Sequence, residues 1–521
     1  MKIREIKIRE FKNLREFEAH FDSTSLATVL LGQNGTGKSN LLEAMVVIFR
    51  DLDLGEPPSF EYEISYECRG KDIRIKAGEK AKASSIAIGV DGHSISYSSF
   101  WKDTARQFLP SHVFGYYSGP SSRFESHFAK HQERFYRQLL DDKTSGQAFR
   151  PLFLARLIHS QFVLLAFFYE EHQQTERFLK DYLDIEDLES VLFVLKQPPS
   201  LSKQGDRRFW YAKGAVQGFL DKLFRYALAP MRLKQRVDLE LGKARTEERL
   251  YLFLKDRKCL EKLRTDYQTS ADFFKALEST YLSKLLAETR IRVRIKDYDG
   301  ALTFRELSEG EQQLLTVLGL LRFTREDEAL FLLDEPDTHL NPVWSLHYLD
   351  LLKGVVGEQR TSQIIMATHD PLTIAGLTRD EVRVMYKDES THHISARIPD
   401  HDPKGMGVSG ILTSDLFGLR SDLDLETLKL LDEKRDLSVK ENLTDEDKRR
   451  LGELRDALEG LDLSARVRDP MFRDFVKALT IEESGTTRKT VLTPEEQKTR
   501  QGLALRALEE VKKERESERK A

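Results

Sequence analysis

The segment Gly32-Gln33-Asn34-Gly35-Thr36-Gly37-Lys38-Ser39 has the residue types and spacing of a phosphate-binding loop. Glycines let backbone N–H groups approach an anion, Lys38 brings a point charge to the β and γ phosphates, and the Ser39 hydroxyl suits Mg2+. The apolar run Leu26 to Leu31 precedes the loop, and Asn40-Leu41-Leu42-Glu43-Ala44 reads as a helix after it. Strand, glycine loop and helix N-terminus are the context this chemistry needs. Gly32, Asn34, Gly35, Gly37, Lys38, Ser39 and Asn40 are the expected nucleotide-binding residues.

Phe331-Leu332-Leu333-Asp334-Glu335 is an apolar strand ending in two carboxylates. At the C-terminal end of a strand, where open α/β sheets bind ligands, the two need different tasks. Asp334 is expected to hold Mg2+ with Ser39, and Glu335 to orient and deprotonate an attacking water. Thr368-His369-Asp370 follows a further strand, Ile364 to Ala367, and puts His369 within reach of the γ-phosphate. About twenty residues before Asp334 lies Leu307-Ser308-Glu309-Gly310-Glu311-Gln312. A Ser-x-Gly segment ahead of such a strand points to an ATP site closed by a second subunit, and Ser308, Gly310 and Glu311 are expected among the nucleotide-binding residues.

These motifs need an α/β frame, and the chain has room for one with additional lobes: 521 residues with a net charge of -4. That balance gives no global basic field, so any nucleic-acid surface must be local. Cys68 and Cys259 are far apart and in no CxxC spacing, which argues against a disulfide framework or structural zinc. The most apolar stretch, Leu152 to Tyr169, is interrupted by Arg156, His159, Ser160 and Gln161 and falls short of the ~20 apolar residues of a spanning helix. The expectation is a cytoplasmic protein without a membrane segment.

Ile3, Ile6, Ile8 and Phe11, then Phe17 and Phe21, predict an opening pair of strands, and residues 61–97 predict an antiparallel flank with a turn at Asp91-Gly92. From about Gln147 to Leu286 the texture reads as helical. The expected division is 1–146 and 287–400 for the two parts of an ATPase domain, 147–286 for an inserted helical lobe, and 401–521 for a charged, largely helical extension. In that extension Thr444 to Asp447 predicts a capping box, and Pro494 a first helical position.

Taken in order, the motifs resemble those of ABC-type ATPases of the SMC, RecF and DNA-repair branch. The resemblance implies an α/β P-loop head, an ATP- and Mg2+-dependent hydrolase that works as a homodimer or higher homo-oligomer, and a D-loop at Thr338-His339-Leu340-Asn341. Two positions depart from the pattern: Glu309 replaces the first signature glycine, and Asn341 stands where many members have Asp. The switch usually carried by a Q-loop glutamine falls at Tyr116-Tyr117-Ser118-Gly119. Two further segments, His159 to Ala166 and Lys404 to Leu419, resemble the ATPase subunit of Septu-type or retron-associated anti-phage defence systems. That resemblance covers the chain to roughly Lys440 and implies a separate HNH nuclease as partner.

Other readings remain open at this point: an OLD-like nuclease, or a recombination or repair ATPase that binds DNA ends. Neither an HNH constellation nor the Glu and Asp-x-Asp pattern of a Toprim nuclease follows the ATPase core. Between Lys203 and Arg245, eleven Lys or Arg stand against four Asp or Glu, interleaved with aromatics. This is the local candidate for contact with nucleic acid, against the alternative of a solvated basic face. His392, His393 and His401 form no ligand spacing and read as loop histidines.

Overall fold

The computed structural model describes residues 1–82, 85–101, 107–119, 122–140, 150–169, 173–199, 205–240, 243–265, 267, 269–296, 301–323, 328–356, 361–388, 390–440, 442–459, 475, 478–479 and 494–520. The expected boundary at 146/147, Lys203 and Thr493 lie outside them. The chain divides into two units, Met1–Ile374 with Asp380–Arg397, and Ala375–Arg379 with Ile398–Ala521.

The first unit carries three sheets. An antiparallel sheet runs in the order β2-β1-β4-β5-β6-β7, from β1 (Lys2–Phe11), β2 (Leu14–His20), β4 (Tyr62–Cys68), β5 (Lys71–Ala77), β6 (Ala87–Val90) and β7 (His93–Ile95). Strict alternation in β4 buries Tyr62, Ile64, Tyr66 and Cys68 on one face, as expected for a sheet covered on one side. Its turn falls at Asp91 and Gly92, both at positive φ.

The central sheet runs β18-β17-β3-β16-β15-β8-β9, from β3 (Ala27–Leu31), β8 (His112–Tyr117), β9 (Leu152–Ala155), β15 (Ala329–Asp334), β16 (Gln363–Ala367), β17 (Val382–Lys387) and β18 (Ile394–Arg397). All its pairings are parallel except β17 with β18. Every residue of β3, β15 and β16 is buried, the continuous apolar run that strands covered on both faces require. The helix Lys38–Leu54 lies between the two sheets, its Leu41, Leu42, Met45 and Phe49 sharing one core with Ile6, Ile64 and Leu332.

The third sheet, β11-β12-β10-β13-β14, corrects the expectation of a purely helical insert. It comprises β10 (Ile185–Lys196), β11 (Met231–Glu240), β12 (Lys243–Leu254), β13 (Leu286–Ile295) and β14 (Ala301–Thr303). Helices are present as expected, at Ile158–Tyr169, Gln173–Leu183, Gly214–Tyr226 and Ser270–Leu282. In β10, however, Leu188, Val191, Leu192 and Leu195 recur at helical spacing and still lie in a strand. Antiparallel pairing with β12 and β13, distant in sequence, decides the outcome.

In the second unit the helices Gly407–Thr413, Leu425–Val439, Asp445–Glu459 and Pro494–Lys520 predominate. Asp447 closes the expected box on Thr444, whose Oγ1 accepts from Asp447 N at 3.2 Å while Asp447 Oδ2 accepts from Thr444 N at 3.0 Å. Among the described residues no helix is long and apolar enough to cross a membrane.

Candidate nucleotide site

Topology brings three motifs together. The glycine loop leaves β3, Asp334 and Glu335 end β15, and His369 follows β16, which lies between them. All three therefore open at one end of adjacent parallel strands.

The loop's backbone depends on glycine where it turns tightest. Gly32 has φ 145°, and a Cβ there would sit 2.4 Å from the Met385 carbonyl oxygen. Lys38 Nζ donates to Gly32 O at 2.6 Å, inside the curl of the loop. Burial lowers its pKa, against the pull of Glu335 and Asp334.

Asp334 is buried, and neither of its carboxylate oxygens has a hydrogen-bond partner among the described residues. Burial pushes its pKa up to about 6, against the nearby Ser39 hydroxyl, which favours the charged form. Two orphaned carboxylate oxygens beside a hydroxyl suit a hard divalent cation, so Ser39 and Asp334 fit Mg2+. Glu335 takes φ 52°, a left-handed conformation that costs a non-glycine residue about 1–2 kcal/mol. Its carbonyl oxygen accepts from Thr338 Oγ1 at 2.9 Å and Gln313 Nε2 at 3.3 Å, and its N–H donates to Ala367 O at 2.9 Å. So held, its carboxylate lies 3.3 Å from His369 Nδ1.

Around the loop stands a cluster the sequence reading did not single out. Glu43, on the buried face of the helix Lys38–Leu54, accepts from Lys12 Nζ at 2.5 Å, Arg123 Nη2 at 2.7 Å and His127 Nε2 at 2.8 Å. Burial alone would raise its pKa, but these donors outweigh it and take the carboxyl down to about 2. Arg123 also donates to Asn40 Oδ1, and Asn40 Nδ2 to Asn13 Oδ1 at 2.5 Å. Asn13 in turn donates to Gly35 O at 2.9 Å. Asn40 thus braces the loop from outside. The signal that could have found the cluster is a Glu within the apolar stripe of the P-loop helix.

Asp337, also missed, is buried and accepts from Thr368 Oγ1 at 2.6 Å and Thr373 Oγ1 at 2.7 Å. It ties the segment after Glu335 to the segment bearing His369.

Ser308, Gly310 and Glu311 are not brought to the loop of their own chain by any hydrogen bond among the described residues. They open the helix Glu309–Phe323 as a capping box: Ser308 Oγ and Ser308 N donate to Glu311 Oε2 at 2.7 and 2.6 Å, and Glu311 N donates to Ser308 Oγ at 3.3 Å. A Cβ on Gly310 would meet His339 O at 2.4 Å. The second signature glycine is therefore sterically required, whereas Glu309 in place of the first is exposed. Asn341, the other departure, accepts from Trp344 N at 2.9 Å and caps the helix Pro342–Val356. Tyr116 to Gly119 lie at the end of β8 beside β15, with Ser118 N donating to Asp334 O at 3.2 Å.

Four of the eleven cations of the basic segment sit in ion pairs among the described residues. Arg208 pairs with Asp206 and Asp221, Arg225 with Asp221, Arg232 with Glu248 and Arg245 with Glu247. His392, His393 and His401 belong to no candidate metal group among the described residues. Cys68 and Cys259 are both free and buried.

The family described as "AAA domain, putative AbiEii toxin, Type IV TA system" matches residues 27–375. The Septu protein PtuA of Bacillus mycoides (strain KBAB4) is 30% identical over 157 residues, 28% of this chain and 21% of that protein. Septu protein PtuA of Bacillus thuringiensis is 25% identical over 196 residues, 33% of this chain and 48% of that protein. A "Putative ABC transporter ATP-binding protein" of Bacillus cereus (strain ATCC 10987 / NRS 248) is 28% identical over 150 residues, 29% of this chain and 24% of that protein. The chain spans 21% to 48% of the length of these curated relatives. Among solved structures, the SmcHead bound to the C-winged helix domain of ScpA aligns with TM-score 0.34 and 12% identity over 76% of this chain and 98% of that one. The SMC head domain from Thermotoga maritima aligns with TM-score 0.31 and 13% identity over 76% and 99%. At those scores the strand order, and not the superposition, carries the fold.

Proposed function

This chain belongs to the AAA-domain family whose description reads "putative AbiEii toxin, Type IV TA system", and from that premise we propose that it is the ATP-binding and ATP-hydrolysing subunit of a prokaryotic anti-phage defence complex. It acts in the cytoplasm, as a homodimer or higher homo-oligomer, and controls a separate HNH-type nuclease through ATP-dependent closure. Support for the defence setting comes from the partial likeness to two PtuA proteins.

The observation that carries the ATPase reading is the convergence of Lys38, the orphaned Asp334 and the Glu335–His369 pair at the ends of β3, β15 and β16. Backbone N–H groups of residues 32–39 and the Lys38 ammonium would hold the phosphates of ATP, with Ser39 and Asp334 as ligands to Mg2+. Bound Mg2+ would supply charge neutralisation at the β and γ phosphates. Glu335 accepts the proton of the attacking water, and His369 orients its carboxylate. Ser308 and Gly310 serve the partner subunit's site, which leaves Glu311 as the capping residue that holds Ser308.

The test is reconstitution with an HNH subunit encoded beside this chain. We expect co-purification, Mg2+-dependent ATP hydrolysis by the chain alone, and DNA cleavage by the complex that responds to nucleotide. DNA cleavage by this chain alone would favour the OLD-like reading, and tight binding to DNA ends without an effector the repair reading.

A further inference from the structure

Glu309, Gly310 and Gln313 share one face of the helix Glu309–Phe323. That face lies on the segment that follows β15. A Cβ on Gly310 would meet His339 O at 2.4 Å, Glu309 Oε2 stands 3.5 Å from His339 Nδ1, and Gln313 Nε2 donates to Glu335 O at 3.3 Å. The helix start therefore packs against the segment from Glu335 to His339 of its own chain.

Glu335 O also accepts from Thr338, within the same turn, and Glu335 N–H donates to Ala367 O. Among the described residues, Gln313 is the donor that reaches this carbonyl from another element. Its side chain is buried, and its Oε1 has no partner among the described residues. A buried amide with an unused acceptor costs more than an apolar side chain of the same length, so packing alone does not account for a glutamine here. Its donor does, because Glu335 is held at φ 52°, where a non-glycine backbone needs support from its surroundings.

We propose that Gln313 is a positioning residue for the Glu335 carboxylate of its own chain, on the same helix start whose Ser308 and Gly310 serve the partner's nucleotide. Through the Glu335 carbonyl it fixes the left-handed turn, and the turn aims the carboxylate at His369 and the attacking water. One helix start thus works on two sites, in trans through Ser308 and in cis through Gln313. This rests on the proposed roles of Glu335 and of the composite ATP site.

Gln313→Met keeps the length of the side chain and removes the donor. It should lower kcat about 10- to 100-fold, the scale of a misplaced catalytic group, and leave KM for Mg-ATP and the ATP-dependent dimer unchanged. A role confined to the helix start would instead raise KM and weaken the dimer. If the variant misfolds, Gln313→Leu also lacks the donor and is read in the same way. Mixed dimers separate cis from trans. Paired with Ser308→Arg, Gln313→Met puts both lesions on one composite site, and activity should rise to about half that of wild type. Paired with Glu335→Gln, it damages each site once, and activity should stay at or below the Gln313→Met level. The reverse pattern, or an unchanged kcat in Gln313→Met where Glu335→Gln is slow, would overturn the proposal. A fast Glu335→Gln would overturn the reading of Glu335 on which it rests. No recovery from Lys38→Ala mixed with Ser308→Arg would overturn the composite site and leave the kcat of Gln313→Met to decide for Gln313.

Discussion

The Glu311 carboxylate holds both donors of Ser308, the hydroxyl at 2.7 Å and the backbone N–H at 2.6 Å. In the proposed closed dimer that hydroxyl is wanted by the partner's γ-phosphate, so the helix cap and the composite site compete for one serine. Two effects then oppose each other in Glu311→Gln. A weakened cap costs on the order of 0.5–1 kcal/mol of stability and should lower the melting temperature slightly. A freed Ser308 should tighten the ATP-dependent dimer several-fold, measured by sedimentation in a Glu335→Gln background. Weaker dimerisation would mean that Glu311 serves only as the cap.

Glu335→Gln should bind ATP and hydrolyse it about 10²–10⁴-fold more slowly, the scale of a lost general base. Because its backbone bonds to Ala367, Thr338 and Gln313 do not involve the carboxylate, the loop should keep its shape. Turnover under saturating Mg-ATP is the measurement; an unchanged rate would assign the water to another residue.

Glu43 provides a test of the scaffold by pH. Its folded pKa, about 2, lies below the ordinary value of 4.5. It therefore contributes stability above 4.5 that is lost as pH falls through about 2. Glu43→Gln should unfold at lower denaturant than wild type at neutral pH, and the gap should close between pH 4.5 and 2. A gap constant across that window would remove Lys12, Arg123 and His127 as its source.

Legibility in the sequence followed the range of the interactions. The glycine loop, Asp334-Glu335 and the buried strands β3, β15 and β16 could be read because their signals are contiguous. The box of Thr444 and Asp447 could be read as a pair, since a cap spans only three residues. β10 lies in the stretch that reads as helical, where Leu188, Val191, Leu192 and Leu195 satisfy a helix period, and only pairing with distant strands overrides it. Arg123 could not be read: it reaches Glu43 and Asn40 across eighty residues of chain or more, and nothing local marks it.

Trans completion by Ser308 has the most direct test. In a mixed dimer with Lys38→Ala in one subunit and Ser308→Arg in the other, both lesions fall on one composite site and the second site is intact. Each homodimer instead carries damage in both sites. Mixing two inactive proteins should restore part of the ATPase activity, up to about half for independent sites, provided that subunits exchange and one intact site turns over. Lys38→Ala should itself keep its fold, since among the described residues the ammonium's hydrogen bonds run to Gly32 O and Gln33 O of its own loop. With heterodimers verified and single-site turnover shown independently, an absence of recovery would count against the sandwich and leave Ser308 as the cap of the helix Glu309–Phe323.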